Sequence, residues 1–114
     1  VRTVRLRDYL DRPVDFLKLD IETGETEVLE DCADCLANVD NLFVEYHGAE
    51  SEPQKLPHLL SLLSEAGFRL NIHAGNDSPQ PFVARKVNMG NDLQLEIFAF
   101  RETPCLPSRS NDPV

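Results

Sequence analysis

Strand-like apolar runs alternate with helix-like patterns along this chain, and that alternation restricts its fold more than any other feature. Residues 14–19 (VDFLKL) are mostly apolar, as expected of a strand covered on both faces in a parallel sheet, and Ile21 extends the run. Past Thr23, placed to cap a helix, Val28, Leu29, Cys32, Cys35, Leu36 and Val39 recur at amphipathic helical spacing. Residues 42–46 (LFVEY) read as a second strand. Residues 53–66 read as a second helix built on Leu56, Leu59, Leu60, Leu62 and Leu63, with Pro57 tolerable in its first turn. Gly67 is placed to close it in the left-handed conformation. A third strand over 68–73, a turn-rich loop over 74–92 and a final alternating strand over 93–101 complete the pattern. Upstream, 1–6 reads as a short edge strand and 6–10 as one or two helical turns that stop before Arg12-Pro13. The order implies an α/β unit with two right-handed crossovers on a parallel sheet and a last pair of antiparallel strands. That is half of a doubly wound domain, spanning 1–101, with a flexible tail over 102–114.

Charge and cysteine content narrow the partners. Twenty acidic residues against 11 basic ones give a net charge of −9. Such a surface disfavours nucleic acid or an anionic membrane as the main partner. No apolar stretch is long enough to span a bilayer and no leader-like segment opens the chain, so a cytoplasmic location is expected. Cys32 and Cys35 have the CxxC spacing of redox and zinc motifs. No second Cys/His pair of suitable spacing accompanies them, and both fall on the apolar face of a helix, so they read as small buried hydrophobes.

In an open α/β sheet, ligands bind outside the carboxyl ends of the strands. That edge carries Asp20 and Glu22 after the first core strand, and Glu45, Tyr46 and His47 after the second. A carboxylate beside an imidazole suits general-base chemistry on a substrate hydroxyl, or a weak oxygen/nitrogen metal site. The plainer alternative for Glu45 and His47 is a satisfied hydrogen bond at a strand end. Glu25 and Glu27 match the first turn of a helix, where the dipole favours anions, and read as solvated acids. Lys18 interrupts an apolar run and reads as the partner of a neighbouring carboxylate. His58 and His73 read as surface residues. No GxGxxG, GxxxxGK[ST], GxSxG or HExxH occurs, so the five glycines form no phosphate or nucleotide cradle.

Taken together, 14-VDFLKLDIETGETEVLEDC-32, 41-NLFVEYHG-48, 66-AGFRLNIH-73 and 93-LQLEIFAFR-101 resemble the FkbM family of methyltransferases. The entry segment 3-TVRLRDYL-10 is similar to the family's approach as well. The resemblance implies strands four to seven of the Rossmann-like sheet of a class I methyltransferase, with an antiparallel seventh strand beside the fifth and helices packed on the sheet. It also implies S-adenosylmethionine as cofactor and a hydroxyl group of a sugar or natural product as the methyl acceptor. The family pattern is D-x-E-G-x-E, whereas here Gly24 follows Thr23 and comes one place late.

The resemblance makes Asp20, Glu22, Glu45 and His47 the candidate catalytic residues: the first two shape the crevice, the last two orient or deprotonate the acceptor. The glycine-rich loop that grips the cofactor has no counterpart here, so the chain is expected to be inactive in isolation. Two other readings stand beside this one: a non-catalytic interaction module that retains the half-fold, and an acidic metal-binding domain resting on Asp20, Glu45 and His47. An unpaired apolar edge along residues 15–21 also predicts a homodimer or strand-swapped oligomer.

Overall fold

The computed structural model describes residues 5–21 and 24–102. Strands β1 (Val14–Leu19), β2 (Val39–Ala49), β3 (Arg69–Asn76) and β4 (Asn91–Phe100) form one sheet in the order β1-β2-β4-β3. β1 runs parallel to β2, while β4 lies between β2 and β3 and is antiparallel to both. Helices α1 (Glu25–Asp31) and α2 (Leu56–Glu65) link β1 to β2 and β2 to β3. The expected antiparallel pairing of the last two strands is therefore present. The chain is a mixed α/β unit with helices packed on a four-stranded sheet.

Side chains alternate across a strand, so each strand divides its residues between two faces. Leu17, Leu19, Leu42, Val44, Tyr46, Ile97 and Ala99 share the helix side, as their register requires. There they meet Leu29, Leu36, Leu59 and Leu63 in a single core. The opposite face carries Phe16, Lys18, Phe43, Phe98 and Phe100 and has no helix over it among the described residues. Phe16 is accordingly 59% exposed. Among the described residues β1 is thus covered on one face, not on both as its apolar run suggested, because both helices sit on the same side.

The helix expected to reach Val39 stops at Asp31 and continues as a 3-10 segment over Ala33–Asn38. An uninterrupted helix would use the Asp31 carbonyl for the amide of residue 35. Here Arg7 Nη1 takes that carbonyl at 2.7 Å, and the Cys35 amide bonds Cys32 O instead at 2.8 Å. Val39 then opens β2, three residues earlier than its apolar pattern indicated. The helical turn expected near residues 6–10 is a 3-10 turn over Leu6–Tyr9; the edge strand expected at 1–6 falls mostly outside the described residues, as does nearly all of the expected tail. The α2 end matches its expectation: Gly67 has φ +93°, and the Phe68 amide reaches back to Leu63 O at 3.2 Å.

One side chain binds the ends of four elements together. Arg101 Nε donates to Val39 O at 2.8 Å, Nη1 to Ala66 O at 2.7 Å and Nη2 to Leu36 O at 2.6 Å. Its guanidinium also lies 4.1 Å from the centroid of the Phe68 ring.

Candidate active site

Three acids and one imidazole from β1, α1 and β2 gather at one end of the sheet. Glu45 and His47 are two apart on β2 and so point to the same side, the face that carries Phe43. The intervening Tyr46, expected beside them, turns instead into the helix-covered core. Its hydroxyl meets the backbone amides of Lys55 and Leu56 at the start of α2, and burial pushes its pKa up. β2 also continues to Ala49, so Glu45 and His47 lie within a strand and not at its end.

His47 stands between two carboxylates. Its Nε2 lies 3.5 Å from Glu45 Oε1, and its Nδ1 lies 3.4 Å from Glu25 Oε1. Glu25 is only 2% exposed and also accepts the His47 backbone N–H at 2.9 Å. The expectation that Glu25 faces water is therefore wrong. Glu25 lies four residues before Leu29 and seven before Cys32, which puts it on the buried stripe of α1. That spacing was the signal in the sequence that sequence reasoning missed. Glu27, off the stripe, pairs with Lys55 on the exposed side as expected for a solvated acid.

Asp20 follows β1 and comes opposite Glu45 by continuation of the Leu19–Val44 register. Desolvation, then a hydrogen bond and charge repulsion from Asp20, holds the Glu45 carboxyl above its ordinary pKa, against the lowering influence of His47 and Gln94. Gln94 on β4 hydrogen bonds Glu45 Oε1 from the neighbouring strand. Lys18 Nζ stands 3.9 Å from Asp20 Oδ2, the pairing expected of it. Glu22, the fourth candidate, lies outside the described residues, and so does Thr23. The start of α1 belongs to Gly24 at φ +91°, with no side-chain cap.

Beside Glu25 and His47 is a small cavity of about 20 Å³, bordered by Gly24, Thr26, Tyr46 and Lys55, with room for one water. Glu25 Oε2 and His47 Nδ1 are both buried with no hydrogen-bond partner among the described residues. No group of three or more His, Cys, Asp or Glu side chains converges to hold a metal among the described residues. Cys32 is buried, with its thiol pKa pushed up to about 11 by desolvation, and Cys35 is half-buried; both are free. Among the described residues no helix is long and apolar enough to cross a membrane.

An imidazole flanked by two carboxyl groups can exchange a proton with a polar group brought beside it. Comparison with known proteins agrees with a methyltransferase origin for these residues. No curated protein and no solved structure gave a significant match. The family model for the methyltransferase FkbM domain matches residues 1–70, a span that contains Asp20, Glu25, Glu45 and His47 and covers well over half of the chain, which belongs to that family.

Proposed function

We propose that this chain supplies the acceptor-handling part of an S-adenosylmethionine-dependent O-methyltransferase, with β1 to β4 corresponding to strands four to seven of the class I sheet. The observation that carries the reading is the His47 imidazole set between Glu45 and Glu25 on a strand of a family member. Methylating a hydroxyl oxygen releases one proton, and His47 Nε2 is the group placed to take it. Glu45, 3.5 Å from Nε2 and with its pKa raised, can donate to or accept from the acceptor hydroxyl. Asp20 shapes the site from the β1 side, and the family resemblance assigns Glu22 the same role. The acceptor class is a hydroxyl on a sugar or natural product. Holding that oxygen in line for attack provides most of the rate enhancement in such a reaction.

Among the described residues, the hollows beside Glu25 and on the phenylalanine-bearing face do not fit the cofactor itself. The enclosed space beside Glu25 takes a single water, and the hollows on the uncovered face are lined mainly by Phe16, Phe43, Phe98 and Phe100. Neither offers the convergent donors and acceptors that a nucleoside and an amino-acid tail require.

The test uses protein expressed from its complete reading frame, supplied with methyl-labelled S-adenosylmethionine and a panel of hydroxylated sugars and natural products. Changing Asp20→Ala and His47→Ala together should abolish label transfer. Undiminished transfer would sink the assignment. A non-catalytic interaction module is the second reading, favoured by the exposed phenylalanines of the uncovered face. It predicts no S-adenosylmethionine binding by the complete protein. The outer edge of β1, unpaired among the described residues, further supports self-association into a dimer.

A further inference from the structure

We propose that Glu25 is a positioning residue for His47, fixing its ring so that Nδ1 carries the proton and Nε2, on the Glu45 side, is the base. This rests on the functional reading above only for the use made of Nε2; the placement of the ring stands on geometry alone. Three observations carry it. Glu25 Oε1 accepts the His47 backbone N–H at 2.9 Å, which ties the carboxylate to the residue it serves. The same oxygen lies 3.4 Å from His47 Nδ1, which is buried and makes no hydrogen bond among the described residues. The Glu25 carboxylate is buried on α1 with Oε2 unpartnered, so a nearby N–H is the neighbour it needs.

A carboxylate next to an imidazole selects the tautomer that donates toward it, and of the two flanking His47 the Glu25 side chain, 2% exposed against 20% for Glu45, is the one less able to turn to water instead. The opposite nitrogen is then left with its lone pair. Nε2 lies on the Glu45 side, 3.5 Å from Glu45 Oε1 and on the face shared with Phe43. Lys55, the cation nearest the cavity, is engaged by Glu27 and Glu52 on the exposed side, which leaves the Glu25 charge to His47. Neutral histidine in water favours the opposite tautomer, with the proton on Nε2, so the proposal predicts an inversion that a merely structural Glu25 would not need.

The experiment is long-range proton–nitrogen NMR on this chain with nitrogen-labelled histidine, at a pH where His47 is neutral. His58 and His73 serve as internal references. The expected result is an Nδ1–H tautomer at His47 alone, reverting toward Nε2–H in Glu25→Ala. Glu25→Gln keeps a carbonyl for the His47 amide and should keep the fold and the wild-type tautomer. An Nε2–H tautomer in the wild type, or an unchanged spectrum in Glu25→Ala, overturns the proposal. If Glu25→Ala does not fold, the wild-type tautomer alone decides. The two readings separate cleanly: confirmed tautomer with a fully active His47→Ala enzyme defeats the methyl-transfer role only. An inactive His47→Ala enzyme with the wrong tautomer defeats the role of Glu25 only.

Discussion

Replacing Arg101 with alanine should unfold this domain far more readily than its place at the end of a strand suggests. The side chain donates to three carbonyls, those of Val39, Ala66 and Leu36, and stacks on Phe68. Hydrogen bonds from a charged donor contribute about 1.5–3 kcal/mol each when buried. These sites are only part-buried, so water recovers some of the loss and about 1 kcal/mol apiece is a fair figure. Adding about 0.5 kcal/mol for the cation–π contact gives a total near 3.5 kcal/mol. With an unfolding entropy of about 2.1 cal/mol/K per residue, the melting midpoint should fall by roughly 15 °C. Urea unfolding followed by circular dichroism measures the change directly. Arg101→Lys should recover only a part, since one ammonium cannot hold three divergent carbonyls in a fixed fork. A loss below about 0.5 kcal/mol for the alanine variant, or a lysine variant equal to wild type, would refute the clamp.

Four other outcomes are expected. Gly67→Ala should cost about 1–3 kcal/mol, because φ there is +93° and a Cβ would meet Arg101 Nη1 at 2.8 Å; the cost should shrink in an Arg101→Ala background. The raised Glu45 pKa means its stabilising contribution is present below the ordinary carboxylate range and lost as pH rises through the higher folded value. Glu45→Gln should therefore raise the melting midpoint at pH 7 more than at pH 4 while impairing transfer. A thiol reagent under native conditions should modify half-buried Cys35 before buried Cys32, whose pKa near 11 also disfavours the reactive thiolate; equal rates would contradict that burial. Sedimentation at tens of micromolar should show a dimer or larger species, and a clean monomer would remove the case for pairing along β1.

The strands and the order of the elements were legible because period-two and period-3.6 patterns survive in short segments. The α1 break was not, because it depends on Arg7 capturing a carbonyl 24 residues away. Asp20, Glu45 and His47 were visible as polar residues following apolar runs near the ligand edge. Glu25 was hidden by ambiguity: an acid in a first helical turn satisfies the dipole whether it faces water or a buried imidazole. Its position on the Leu29–Cys32 stripe was the information that separates the two, and it was outweighed by the local charge pattern. Arg101 left no trace at all, since its partners are backbone carbonyls that any sequence would provide.

Because side chains alternate along β2, the machinery of this site is sensitive to insertions and deletions in a position-dependent way. One residue added between Asn41 and Glu45 would turn His47 toward the helices and bring Tyr46 out in its place. The irregularity at Gly48/Ala49 lies beyond both and can absorb a length change without disturbing them. Lineages that vary the rim of the crevice are therefore expected to gain and lose residues after Gly48, while the seven positions before it stay fixed in number.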